Sequence, residues 1–174
     1  MSGHSRSGPV SSFHRHRLQL PPRHPERHRR HRRDRPPGDP AFEHGGGKIV
    51  IWHGLADQLI FPQGTINYYQ RVQGTLGPTN TNTFARLFLA PGAQHCGPAA
   101  GPAPTNVLQA VANWVEHGQA PTTLPASGGA TNHSPQLCLY PYLSEYVSGN
   151  PGSGSSYTCV RLTSGQQQQL TALP

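Results

Sequence analysis

The stretch KIVIWHGLADQLIFP, residues 48–62, decides the fold, because an apolar run in it gives way abruptly to polar residues. KIVIW (48–52) is β-branched and apolar on both faces, which is typical of a strand buried in a parallel sheet. FARLFLA (84–90) has the same texture and predicts a second buried strand.

A helix is predicted between these strands, from Gln63 to Gln73. Pro62 before it and Gly74 after it are typical helix boundaries. Its apolar residues recur at helical spacing and are Ile66, Tyr69 and Val72.

TNVLQAVANWVEHG (105–118) predicts a second helix, in which Thr105 caps the start and Gly118 ends the helix. An apolar stripe on this helix is expected to face inward, and it consists of Val107, Leu108, Val111, Trp114 and Val115. Strand, helix, strand and helix therefore alternate, which predicts an α/β domain.

The charge of +7 is concentrated in residues 1–44, where ten arginines face four acidic residues. This basic arm has almost no apolar residues beyond Phe13, Leu18 and Leu20, so we expect it to be disordered. It lacks the pattern of a signal peptide, and no stretch holds the ~18 apolar residues of a membrane span. An alternative function is polyanion or nucleic-acid binding by the arm, although no aromatic stacking residues accompany its arginines.

Asp57 and His95 each follow a predicted strand, where functional groups of α/β sheets collect. A carboxylate beside an imidazole fixes its tautomer, so the pair could be two thirds of a catalytic triad, with acid and base in α/β-hydrolase order. The alternatives are that Asp57 forms a turn or caps a helix, and that His95 is a solvated loop residue. His53 is interpreted as a turn residue next to Gly54.

Five longer stretches follow one another along the chain: GGKIVIWHGLADQLIFPQGTINYY (46–69), LFLAPGAQHCGPAAGPAP (87–104), LQAVANWVEHGQAP (108–121), LCLYPYL (137–143) and YTC (157–159). In this order they resemble the C-terminal part of the tannase and feruloyl esterase family, from about Gly45 to Cys159. The resemblance implies part of an α/β-hydrolase fold and a secreted serine hydrolase that cleaves small esters of aromatic acids.

The resemblance also implies roles for individual residues. Asp57 would be the acid and His95 the base. Cys138 and Cys159 would form a local disulfide, and Cys96 would pair with a cysteine that precedes the nucleophilic serine. The alternative is that all three cysteines are free thiols. The family's structural calcium belongs to a lid of full-length relatives, so no metal or cofactor is predicted in this chain.

The predicted site lacks its nucleophile. The serines before Asp57 lie in the polar arm, without a preceding strand or a glycine elbow, and are Ser2, Ser5, Ser7, Ser11 and Ser12. We therefore expect a fragment without a catalytic serine, inactive alone, in which Cys96 lacks its partner. The predicted organisation is a basic arm (1–44), hypothesised to be a mispredicted start, a partial hydrolase domain (45–159) and a flexible tail (160–174).

Overall fold

The computed structural model describes residues 45–130 and 132–172. The basic arm, with the predictions of disorder and of polyanion binding, lies outside the described residues. No helix in the described ranges has the length and apolar composition needed to cross a membrane.

Two parallel strands form the centre of the fold, as predicted. Strand β1 (Ile49–Gly54) pairs with β2 (Ala85–Ala90), in a register that runs from Ile49 opposite Ala85 to Gly54 opposite Ala90. Parallel strands need a crossover between them. Helix α1 (Pro62–Leu76) and the short helix α2 (Pro78–Phe84) supply it.

Helix α1 extends three residues beyond the predicted end at Gln73. It continues through Gly74 and ends at Gly77, whose φ of 81° is favourable for glycine. Pro78 then begins α2 directly.

The side chains of β2 alternate between two apolar clusters, one on each face of the strand pair. Leu87 and Leu89 point to the cluster under α1, while Phe88 and Ala90 point to the opposite cluster. Because both faces are covered, β2 is apolar at every position except Arg86. The α1 side also contains Ile66, Tyr69 and Tyr140, and the other side contains Leu124 and Leu137.

Helix α3 (Val107–His117) begins one residue later than predicted, because its N-cap is Asn106 and not Thr105. Thr105 does not cap it, because both the N–H and the hydroxyl of Thr105 bond to the carbonyl of Pro125. The predicted inward stripe is only partly correct. Trp114 is buried, but Leu108 is 84% exposed and Val115 is 60% exposed. In the described part of the chain the sheet under α3 is two strands wide, too narrow to cover the whole stripe.

Short antiparallel strands follow the parallel pair. Strands β3 (Ala103–Pro104), β4 (Thr123–Ser127) and β5 (Gln136–Cys138) form one sheet, and β6 (Tyr142–Tyr146) pairs with β7 (Tyr157–Arg161). A disulfide between Cys138 and Cys159 links β5 to β7, as the resemblance implied.

The prediction of a flexible tail from residue 160 onward is wrong for the residues that the structure describes. Strand β7 continues to Arg161, Leu162 is buried, and helix α4 spans Ser164–Thr171. A capping box between Thr163 and Gln166 starts this helix. The tail is therefore ordered by a local cap and by packing against α1.

Candidate active site

The site lies where β1 and β2 end side by side. The N–H of Leu55 donates to the carbonyl of Ala90 at 2.9 Å, and the N–H of Ala56 donates to the carbonyl of Ala93 at 3.0 Å. These two bonds hold the loop after β1 against the loop after β2. The carboxyl ends of parallel strands thus bring two distant segments of sequence to one place.

Gly54, the last residue of β1, permits this close approach. A Cβ at position 54 would overlap the carbonyl of Ala93, whose carbon would lie 2.7 Å away, and would lie 3.0 Å from the carbonyl oxygen of Gln94. Only glycine fits against this backbone without moving it. Gly54 therefore sets the position of the loop that carries His95.

Asp57 is buried, with 7% of its surface exposed, and both of its carboxylate oxygens are engaged. Oδ1 accepts the N–H groups of Leu59 and Ile60, each at 2.9 Å. This is the turn-forming role that the sequence left open as an alternative. Oδ2 lies 3.0 Å from Nδ1 of His95. One carboxylate thus orders its own loop and also contacts the histidine.

The surroundings of Asp57 favour its ionised form. Burial raises the pKa of the carboxyl group, but it is outweighed by the hydrogen bonds from Ile60, His95 and Leu59 and by the charge of His95. The pKa of Asp57 is consequently held well below its usual range. An ionised carboxylate can only accept hydrogen bonds, so Nδ1 of His95 carries a proton.

The second ring nitrogen of His95, Nε2, takes no part in the contact with Asp57. With the proton on Nδ1, Nε2 of the neutral ring keeps its lone pair and can act as a base. The side chain is 35% exposed, in contrast to the 5% of Asp57. The pair therefore combines a buried acid with an accessible base.

A cavity of about 190 Å³ opens beside the pair. The described residues that line it include no serine, threonine or cysteine and are Trp52, His53, Gly54, Asp57, Ile60 and His95. Cys96 has an exposed free thiol and lines a neighbouring cavity of about 310 Å³. Within the described ranges, no three His, Cys, Asp or Glu side chains form a group that could hold a metal ion.

His53 belongs to the same cluster, although the sequence interpretation made it a turn residue. It is the fifth residue of β1, and its Nε2 lies 3.2 Å from Oδ2 of Asp57. The sequence did not predict this contact. His53 lies in a strand and Asp57 lies in the loop after it, and two such residues meet only if the chain turns back. That turn follows from the bonds of Leu55 and Ala56 to the neighbouring loop.

Comparison with known proteins gives one consistent result. The family model for tannase and feruloyl esterase matches residues 37–160. A probable feruloyl esterase of Arthroderma benhamiae is 42% identical over 129 residues, which are 70% of this chain and 24% of that protein. A mono(2-hydroxyethyl) terephthalate hydrolase of Piscinibacter sakaiensis is 32% identical over 127 residues, which are 69% of this chain and 21% of that protein.

Two solved structures are similar to this fold. Feruloyl esterase B from Aspergillus oryzae matches with a TM-score of 0.61 and 29% identity, over 70% of this chain and 28% of that chain. A tannin acyl hydrolase from Aspergillus niger matches with a TM-score of 0.60 and 29% identity, over 76% of this chain and 26% of that chain. The chain thus spans about a quarter of the length of these relatives.

Proposed function

This chain belongs to the tannase and feruloyl esterase family, and on that premise we propose that its described residues hold the acid and the base of a carboxylic ester hydrolase. The observation that carries the proposal is the 3.0 Å contact between Nδ1 of His95 and Oδ2 of Asp57. It joins a buried acid to an accessible base at the carboxyl ends of two parallel strands.

The proposed chemistry moves one proton through His95. Nε2 accepts the proton of a serine hydroxyl as the serine oxygen attacks the ester carbonyl. The same nitrogen then gives this proton to the departing alcohol oxygen, and a water molecule repeats the sequence to release the acid. Asp57 keeps the proton of His95 on Nδ1 and stabilises the imidazolium that forms between the two steps.

We place the serine outside this chain, because no described serine lines the cavity beside His95 and the serines of residues 1–44 have no preceding strand or glycine elbow. We place the backbone amides that would hold the oxyanion next to that serine. Such amides usually supply a large part of the rate enhancement. We therefore expect negligible esterase activity from this chain alone.

We propose esters of aromatic acids, such as feruloyl or galloyl esters, as the substrates of the complete site. Support comes from the relatives, which are named as a feruloyl esterase, a terephthalate ester hydrolase and a tannin acyl hydrolase. We also propose an extracellular location. The disulfide between Cys138 and Cys159 supports it, because such bonds persist in oxidising compartments.

A chimera tests the proposal. In this chimera, residues 45–174 of this chain replace the matching C-terminal segment of the Arthroderma benhamiae relative. The N-terminal part of that relative is kept. The chimera is expected to hydrolyse methyl ferulate, with kcat reduced about 10⁴-fold by Asp57→Asn and by a similar factor by His95→Ala.

The matched control is His117→Ala, since the side chain of His117 is 61% exposed and lies in the last turn of α3. It should leave kcat unchanged. A folded chimera that keeps its activity after His95→Ala would refute the role of the pair. The unmodified chain, assayed in parallel, should show no more than background hydrolysis, and hydrolysis that depends on His95 would refute the placement of the serine.

A further inference from the structure

We propose that His53 is a positioning residue for the pair of Asp57 and His95. It would act through a series of hydrogen bonds that runs from Thr65 through His53 to Ile60, whose N–H group donates to Asp57. The inference rests on the proposed function, because it concerns the orientation of the proposed acid.

The contacts of His53 determine where its proton lies. Nε2 is 2.8 Å from the carbonyl oxygen of Ile60 and 3.2 Å from Oδ2 of Asp57. A carbonyl oxygen and an ionised carboxylate can only accept hydrogen bonds, so Nε2 must carry a proton. Nδ1 lies 2.8 Å from the hydroxyl of Thr65, which can donate to it when the ring is neutral. Thr65 therefore favours the tautomer in which Nε2 donates to the carbonyl of Ile60, beside Oδ2 of Asp57.

His53 adds a polar neighbour to the donors that surround the carboxylate. Oδ1 of Asp57 receives the two backbone N–H groups of its own loop, while Oδ2 faces the imidazoles of His95 and His53. Rotation of the carboxylate would break at least one of its three hydrogen bonds, from Leu59, Ile60 and His95, or its contact with His53. The oxygen that faces His95 is thereby held in place from a second side.

The anchor is placed on a rigid element. His53 lies within β1, opposite Leu89 of β2, and its side chain is only 11% exposed. Asp57, by contrast, lies in a loop. A contact with a strand residue restricts the position of a loop residue more closely than the loop alone does.

Nuclear magnetic resonance of the full 174-residue chain tests the proposal without requiring any esterase activity. The observable is the Nδ1 proton of His95, which should give a downfield signal protected from exchange with water. His53→Ala is expected to accelerate that exchange at least about tenfold, because a freed carboxylate pairs less well with His95. His53→Gln should restore protection, since its side-chain amide can donate to the carbonyl of Ile60 as Nε2 of His53 does.

Thr65→Val supplies a second test that leaves His53 in place. Removal of the hydroxyl should also accelerate exchange. Thr75→Val is the matched control on α1, because the hydroxyl of Thr75 donates to the carbonyl of Arg71 in its own helix. A folded His53→Ala chain with unchanged exchange would overturn the proposal. If that variant does not fold, unchanged exchange in Thr65→Val overturns it instead. Failure of the chimera to hydrolyse esters would bear on the proposed function and not on this result.

Discussion

Nδ1 of His95 lies 3.0 Å from Oδ2 of Asp57, although 38 residues separate them along the chain. The contact exists because each residue follows one of two adjacent parallel strands, and because the loops after those strands bond to each other. A crossover of helices α1 and α2 occupies most of the intervening sequence. The geometry of the pair thus depends on the strand register and on the loop backbone together.

The lowered pKa of Asp57 predicts how stability depends on pH. The pKa is lower in the folded than in the unfolded chain, so the unfolded chain binds more protons in the interval between the two values. The contribution of Asp57 is complete above about pH 4, the pKa of an ordinary aspartate, and is lost as pH falls toward the folded value. Urea unfolding at pH 7 and pH 3 should show Asp57→Asn less stable than wild type at pH 7, with a smaller difference at pH 3. An equal difference at both pH values would contradict this account.

Gly54→Ala should destabilise the chain by about 1–3 kcal/mol, because the new methyl group would overlap the backbone of Ala93. It should also move the loop of His95 and expose the Nδ1 proton of His95 to exchange. The matched control is Gly64→Ala in α1, where a new Cβ meets no atom within 4 Å and the substitution should stabilise the helix by up to about 1 kcal/mol. Urea unfolding of both variants measures the difference. If Gly54→Ala were as stable as wild type, the loop of His95 could shift without loss of stability.

Loss of the disulfide should lower the free energy of unfolding by about 3 kcal/mol, because the bond between Cys138 and Cys159 closes a loop with a sequence separation of 21 residues. The variant is Cys138→Ser with Cys159→Ser, compared with wild type under non-reducing conditions. Cys96→Ser is the control and should change stability by less than about 0.5 kcal/mol, since its thiol is free and exposed. Reductant should destabilise wild type and leave the double variant unchanged.

The exposure of α3 predicts opposite outcomes for two of its apolar residues. Trp114 is 4% exposed and contacts the charged ends of Lys48 and Arg86, each about 5.5 Å from its ring centre. Trp114→Ala should therefore cost about 3–5 kcal/mol. Leu108→Ala should cost less than about 0.5 kcal/mol, because the side chain is 84% exposed. If Leu108→Ala caused a large loss of stability in unfolding experiments, the face of α3 that carries Leu108 would be covered in solution.

Helix α4 was not predicted, although the sequence contains a signal for its start. The sequence from Thr163 to Gln166 has the spacing of a capping box, which marks the start of α4. Residues 160–174 were predicted to be a flexible tail, but a cap satisfies backbone donors without needing an apolar stripe. Local hydrogen bonding therefore outweighed composition at this position.

The sequence by itself determined the elements whose cause is local. The apolar runs 48–52 and 84–90 became β1 and β2, and the polar residues Asp57 and His95 could be placed at the ends of those strands by pattern alone. Resemblance added the pairing of Cys138 with Cys159, which the structure contains.

Only the tertiary structure decided which neighbours those residues have. The contact of His53 with Asp57 depends on a chain reversal fixed by bonds to the loop of Ala93, and no periodicity in the sequence encodes it. The exposure of Leu108 likewise depends on what packs against α3, which helical spacing cannot specify. Periodicity reports which face of an element is apolar, whereas burial and hydrogen bonding depend on which other segment of the chain meets that face.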